Sequence, residues 1–229
     1  MKNSPVRVLL VGAAGRMGKT VFDLARDDQE IEIVARCDLD DPIEPAMKNC
    51  DVAIDFSNAN AIGEICRAAL QHAKSLVIGT TGHSPQQRRI IEETAHSVPV
   101  AFASNFSVGV NVLFSLKHKA AELFGSDFRA EIVETHHKMK KDAPSGTAKT
   151  LAEIMEAGRK SESKIPIQSI REGDIVGEHS VIFSGPAERL ELTHRAVSRE
   201  TFARGALRAA KWTVHKPPGL YSMQDVLGL

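Results

Sequence analysis

The sequence predicts an α/β chain in two parts: a parallel sheet wrapped by helices, then an α+β segment with a mixed or antiparallel sheet. Three observations predict it. Short apolar runs alternate with amphipathic stretches up to about residue 103. The first run ends in a glycine-rich turn that leads into a helix-like stretch. Beyond Asn105 the pattern changes to a long helix and later to alternating residues punctuated by glycine.

Val6–Val11 is a β-rich apolar run and Arg16–Arg26 reads as a helix. Ile31–Cys37, Val52–Phe56, Leu76–Ile78 and Val98–Ala103 are the further strands of the first part. Helical stretches separate the later ones, at Ala59–His72 and from Ser84-Pro85 towards His96. The strands are apolar throughout, as in a parallel sheet covered on both faces. In the second part, Val110–Phe124 reads as a helix, Phe128–Thr135 as a strand and Thr147–Gly158 as a helix. Ile167–Arg195, with turns at Gly173, Gly177 and Gly185, predicts antiparallel strands. Arg199–Trp212 is a last helix, and Pro217-Pro218-Gly219 leads into a short tail. The expected division is residues 1–106 with 200–229 for one domain and 107–199 for the other.

The chain has 229 residues, 42% hydrophobic and 25% charged, which suffices for a buried core. Lys+Arg and Asp+Glu are both 29, so bulk charge points to neither nucleic acid nor an anionic membrane as partner. Cysteines are odd in number, Cys37, Cys50 and Cys66, with no metal-type spacing. With no signal peptide or apolar span at hand, a reducing, cytoplasmic location is expected.

The turn Gly12-Ala13-Ala14-Gly15-Arg16-Met17-Gly18 has GxxGxxG spacing between strand and helix. Such a turn brings backbone close to a pyrophosphate and aims a helix N-terminus at it. Asp38, just past the second strand, is the expected acceptor for ribose hydroxyls, with Asp40 and Asp41 as neighbours. Gly79-Thr80-Thr81 and Ala103-Ser104-Asn105-Phe106 follow later strands, where ligands of open α/β sheets gather. A carboxylate at Asp38 followed by the neutral Leu39 favours NADH slightly over NADPH. Arg16, Lys19 and Arg36 are cations that could restore use of both.

The densest chemistry is Glu134-Thr135-His136-His137-Lys138-Met139-Lys140-Lys141-Asp142-Ala143-Pro144-Ser145-Gly146-Thr147. Ser145 is placed to cap a helix whose first N–H groups, at Gly146 and Thr147, suit an anion. Lys140 adds charge, and a histidine supplies a proton near neutral pH. Together they suit an anionic substrate, a carboxylate, that is protonated during reaction. No carboxylate or cysteine spacing supports a metal site at the paired histidines.

With these motifs the chain resembles the 4-hydroxy-tetrahydrodipicolinate (dihydrodipicolinate) reductase family of lysine biosynthesis. The resemblance rests on VGAAGRMG at Val11–Gly18, DFS at Asp55–Ser57, IGTTG at Ile78–Gly82 and SNFSVGVNV at Ser104–Val112. It continues through ETHHKMKKDAPSGTA at Glu134–Ala148, REGDIVGEHSVIF at Arg171–Phe183 and Glu188–Trp212. It implies that reduced nicotinamide delivers hydride to C4 of a cyclic imine dicarboxylate. It further implies His136 as proton donor, Lys140 as a second catalytic group, and His137, Gly146 and Thr147 as substrate contacts. Cofactor contacts fall on Gly12–Met17, Asp38, Gly79–Thr81 and Ala103–Phe106, and the assembly is a homotetramer through the second domain's sheet. Leu39, where members often carry arginine, and Met139, where they often carry histidine, are departures. Two other classes remain: another amino-acid or sugar dehydrogenase of the same fold, which need not carry HHKxK with SGT, and a dinucleotide sensor without turnover.

Overall fold

The structure is a computed structural model that describes residues 4–124, 127–159 and 164–229. Two compact units emerge: Met1–Val108 with Glu200–Gly228, and Gly109–Arg199 with Leu229.

The first unit is built on six parallel strands: β1 (Val6–Val11), β2 (Ile31–Cys37), β3 (Val52–Asp55), β4 (Ser75–Ile78), β5 (Pro99–Phe102) and β10 (Gly219–Tyr221). Their spatial order is β10-β5-β4-β3-β1-β2. Alternate residues serve opposite faces. Leu9, Val11, Ala53, Leu76, Ile78 and Val100 pack under α2 (Ile43–Lys48), α3 (Ile62–His72) and α4 (Pro85–Ala95). Val8, Leu10, Val52, Ile54, Val77 and Ala101 face the other way, under α1 (Arg16–Ala25), α7 (Glu200–Thr213) and α8 (Met223–Leu227). This explains why the chain returns here near its end. Without α7, whose Ala203, Ala206, Leu207 and Ala210 are buried, the second face would have only α1 and the short α8 over it. Helix α4 starts where expected: Ser84 and Gln87 form a reciprocal capping box with Pro85 behind it.

The second unit has a four-stranded sheet in the order β7-β6-β8-β9, from β6 (Arg129–His136), β7 (Ile167–Arg171), β8 (Gly177–Ser184) and β9 (Arg189–Ala196). Helices α5 (Val108–Phe124) and α6 (Gly146–Arg159) bury Leu113, Phe114, Leu151 and Met155 against Ile132, Val181 and Phe183 on one sheet face.

Two expectations need correction. Ile167–Arg195 is not all antiparallel: β7 runs parallel to β6, as the intervening α6 demands of a crossover, while β8 and β9 are antiparallel. The stretch after Gly219 is not a mere tail, since β10 extends the first sheet beside β5 and α8 follows it. A three-residue strand starting at glycine after two prolines has too little pattern to read. Helix α2 was also unread, because Pro42 and Pro45 disguise six helical residues.

Candidate functional site

In the first unit, the glycine turn is shaped for close backbone approach. Gly12 has φ +80°, and a Cβ there would lie 2.5 Å from the Phe56 carbonyl oxygen. A Cβ on Gly18 would meet the Gly12 oxygen at 2.2 Å, so α1 packs directly on the turn. Gly15 caps α1 with no side-chain bond, which leaves its first N–H groups to a ligand. Arg16 is exposed and Met17 packs on the core. Of the three strand-end acids, Asp38 turns its carboxylate to this loop and accepts from the Ala14 N–H at 2.9 and 3.0 Å. Asp41 instead accepts from the Asp38 N–H at 2.8 Å, and Asp40 takes a left-handed conformation.

Beside Asp38 lies a cavity of about 840 Å³ whose walls include Ala13, Ala14, Lys19, Phe22 and Arg36. The Arg36 guanidinium stacks over the Phe22 ring at 4.7 Å. Leu39 is 82% exposed. The other two loops follow β4 and β5. Ser104 and Thr81 are exposed, Gly79, Ala103 and Asn105 half-buried, and Thr80 buried. Phe106 is a core side chain set edge-on against Phe56, so only its backbone is left for a ligand. A turn that a Cβ would fill, an uncapped helix start and an adjacent carboxylate together fit a dinucleotide.

In the second unit, strand register collects the chemistry. The pairs Ile132↔Val181 and Ala130↔Phe183 are apolar, and two residues further along the same face Glu134 stands opposite His179. Ser169 of β7 and His194 of β9 extend that polar row. His136 comes next, paired with Arg171. The His136 Nδ1 bonds the Glu134 carboxylate through a very short contact. The Arg171 guanidinium donates to Glu134 Oε1 at 2.8 Å and to the Asp142 carbonyl at 2.6 Å. Glu134 Oε1 also accepts from the Ser145 N–H at 3.3 Å. Ser145 caps α6 as expected, its Oγ accepting from the Ala148 N–H at 3.2 Å, and meets His179 Nε2 at 3.1 Å. Glu134 thus ties His136 to the start of the helix that carries Gly146 and Thr147. The half-buried His137 is fixed by its N–H to the Ile175 carbonyl. Lys140 pairs with Asp142 at 2.8 Å.

Electrostatics corrects one simple expectation. Burial pushes the His136 imidazole down from its ordinary value; Glu134 opposes this, while Lys140 and Arg171 add to it. The protein without substrate therefore disfavours the imidazolium. Burial also pushes His179 down, to about 3, so it stays neutral. Glu134 is fully buried, which raises its carboxyl, but Arg171 and His136 outweigh burial and hold it below the usual range. Glu134, His136 and His179 bring ligand-type atoms within 4.8 Å of one another. Those of Glu134 and His136 are engaged with each other, His179 Nε2 is engaged with Ser145, and Arg171 already neutralises the carboxylate. The cluster is thus held together by its own hydrogen bonds. Sequence reasoning passed over Glu134, Arg171 and His179. The available signal was Glu134 two residues before His136 on a strand, which forces a shared face.

A parallel nucleotide-type sheet with a fitted glycine turn in one unit and a buried acid–base cluster in the other are the features of a dinucleotide-dependent oxidoreductase. Comparison with known proteins gives the family. Residues 6–106 match the family model described as dihydrodipicolinate reductase, N-terminus, and residues 109–227 the one described as its C-terminus. The 4-hydroxy-tetrahydrodipicolinate reductase of Akkermansia muciniphila is 44% identical over 98% of this chain and 98% of its own. That of Geobacter metallireducens is 38% identical over 98% and 99%. A dipicolinate-bound dihydrodipicolinate reductase from Paenisporosarcina sp. TG-14 shares the fold, with TM-score 0.76, 23% identity and coverage of 96% of this chain and 98% of that one. The chain belongs to the 4-hydroxy-tetrahydrodipicolinate reductase family, NAD(P)H-dependent oxidoreductases of the diaminopimelate and lysine pathway. A diaminopimelate dehydrogenase from C. glutamicum shares the fold at 14% identity, with TM-score 0.60 and coverage of 96% and 93%. The likeness to amino-acid dehydrogenases is thus one of architecture.

Proposed function

We propose that the first unit holds the reduced dinucleotide and that the second binds and protonates the cyclic imine dicarboxylate. The single observation that carries this reading is the His136–Glu134–Ser145 linkage, which couples an acid–base group to a helix start. Reduced nicotinamide supplies a hydride to C4. Loss of the substrate's 4-hydroxyl as water gives the conjugated imine that accepts it, and the resulting enamine takes up one proton. His136 donates that proton from its imidazolium. A bound dianion counteracts the cost of charging a buried imidazole, so substrate itself raises the His136 proton affinity. Lys140 exchanges Asp142 for a substrate carboxylate and helps to hold it. Gly146 and Thr147 meet a carboxylate at the α6 N-terminus, with His137 as a further contact.

For the dinucleotide, Gly12–Met17 surround the pyrophosphate and Asp38 takes the ribose hydroxyls. Gly79–Thr81 and Ala103–Phe106 line its nicotinamide half. Asp38 repels a 2′-phosphate and Leu39 offers no charge, so NADH is modestly preferred. Lys19 and Arg36, on the same cavity as Asp38, keep NADPH usable. The assembly is a homotetramer through the second sheet, whose Glu131, Val133 and Thr135 lie on the face opposite the α5/α6 core. The location is cytoplasmic, a reading supported by three buried cysteines that are all free thiols. Among the described residues no helix is long and apolar enough to cross a membrane.

The test is a coupled assay with freshly generated 4-hydroxy-tetrahydrodipicolinate. Substrate-dependent oxidation of NADH or NADPH is expected. Dinucleotide binding without turnover would instead mean a sensor, and turnover only with an amino acid or sugar a different dehydrogenase.

A further inference from the structure

We infer that Glu134, held ionised by Arg171, is a positioning residue that fixes the tautomer of His136, so that only Nε2 carries the transferable proton. The inference rests on His136 being the proton donor.

A carboxylate that remains ionised can only accept hydrogen bonds. Glu134 is fully buried, and an isolated carboxylate there would take up a proton rather than bear its charge in an apolar setting. Arg171 prevents this. Its guanidinium is anchored to the carbonyls of Ile170 and Asp142 at 2.7 and 2.6 Å, and reaches Glu134 Oε1 at 2.8 Å. The Ser145 N–H adds a donor to the same oxygen. The other oxygen, Oε2, faces His136 Nδ1, which must therefore be the protonated nitrogen of the neutral ring. Nε2 is the remaining position. It points past Gly177, where a Cβ would stand 3.1 Å from it, so a larger residue on β8 would crowd the reactive nitrogen.

The groups that face the ring are few. Glu134 lies on its own strand, Lys140 in the following loop, Arg171 on β7 and His179 on β8. His179 packs edge-on against His136 with ring centres 5.0 Å apart and stays neutral, so it does not compete for the proton. Among the described residues Glu134 alone favours the imidazolium, while Lys140 and Arg171 oppose it. Removing the Glu134 charge therefore costs both orientation and proton affinity.

The experiment uses the full-length enzyme. In wild type, ¹⁵N NMR of His136 is expected to show the Nδ1–H tautomer when the ring is neutral. Glu134→Gln is expected to lower kcat at pH 7 by about 10- to 100-fold, part of the ~10²–10⁴ worth of a positioned acid. Substrate KM should stay within about threefold, because the carboxylate contacts are elsewhere. The alkaline limb of the kcat profile should move to lower pH. An acid is active only while protonated, and the variant has lost the charge that favours protonation. Glu134→Asp should restore part of the rate and return the limb towards wild type. If Glu134→Gln fails to fold, Arg171→Lys and the wild-type NMR spectrum decide instead. Arg171→Lys keeps the charge but its single ammonium cannot reach carboxylate and carbonyls in the same fork, so Glu134 is held less firmly; kcat should fall and the Nε2–H tautomer should become populated in the neutral ring. An Nε2–H tautomer in wild type, an unmoved limb in Glu134→Gln, or an unchanged tautomer and kcat in Arg171→Lys overturns the inference. Near-normal kcat in His136→Gln would overturn the proton-donor reading instead, so the two failures are distinguishable.

Discussion

The two sheets place chemistry in opposite ways. In the first unit everything of interest lies beyond the carboxyl ends of parallel strands and acts largely through backbone: a turn at Gly12, the start of α1, the loops after β4 and β5. In the second unit the buried Glu134–His136–His179 cluster lies on a strand face and is built from side chains. There the apolar pairs Ala130↔Phe183 and Ile132↔Val181 give way to Glu134↔His179. The difference teaches where a sequence reveals a site. A backbone site needs glycines at fixed local spacing, so GxxGxxG is legible at once. A strand-face site needs residues from four strands brought into register, and register is not local.

If the division is right, the second unit governs the chemical step and the first governs the dinucleotide. The largest expected effect is that of His136→Gln, which should lower kcat by about 10²–10⁴ while leaving the dinucleotide Kd unchanged. A parallel loss of dinucleotide affinity would break the division.

Lys140→Ala sharpens it. Loss of a charge-assisted contact worth about 1.5–3 kcal/mol should lower kcat/KM by roughly 10- to 100-fold, again with dinucleotide binding unaffected. Asp142, the present partner of Lys140, should be less sensitive, and Asp142→Asn is expected to change kcat/KM by under about threefold.

On the first unit the effects are smaller and concern choice rather than rate. Leu39→Arg puts a cation on an 82% exposed position next to Asp38. It should raise kcat/KM with NADPH about three- to tenfold, the worth of ~1 kcal/mol, and barely change NADH. Asp38→Ala should harm NADH most. Steady-state kinetics with both cofactors check this, and a wild type that strongly prefers NADPH would point to Arg36 or Lys19 as the phosphate ligand.

The smallest effect should be on stability alone. Lys117 lies fully buried between α5 and α6, its ammonium donating to the carbonyls of Leu151 at 2.6 Å and Thr150 at 3.2 Å. Burial pushes it down to about 7 from 10.5, with Glu153 in partial opposition. The unfolded chain therefore binds the proton more tightly than the fold does. The resulting penalty is fully present below pH 7 and is relieved as pH rises towards 10.5. Lys117→Met should stabilise the protein by on the order of 1 kcal/mol at pH 6, with the gain shrinking through that window. Denaturant melts at pH 6 and pH 9.5 measure it, and kcat should not change.

Much of this was legible in the sequence. The first five strands of the parallel sheet followed from apolar runs, and the late helix itself followed from the long amphipathic stretch ending at Trp212. The HHKxK and SGT segments marked the stretch that the structure joins through Glu134, from His136 to Ser145. What stayed hidden obeys a common cause. The parallel direction of β7, the strand β10 and the partnership of Arg171 with Glu134 all depend on pairing between distant segments. Lys117 was hidden because a lysine in the run Lys117-His118-Lys119 reads as solvated, whereas its carbonyl partners lie 33 and 34 residues away. The neutral preference of His136 was hidden too, since burial is a tertiary property.

The most direct test of the central claim is to trace the two hydrogens. The reaction should be run in D₂O with unlabelled NADH and the product examined by NMR at early times. Hydride from the dinucleotide should leave protium at C4, and the protein-relayed proton should place solvent deuterium on the adjacent ring carbon. Solvent deuterium at C4 would contradict hydride transfer from a dinucleotide to that carbon, and with it the division of labour between the two units.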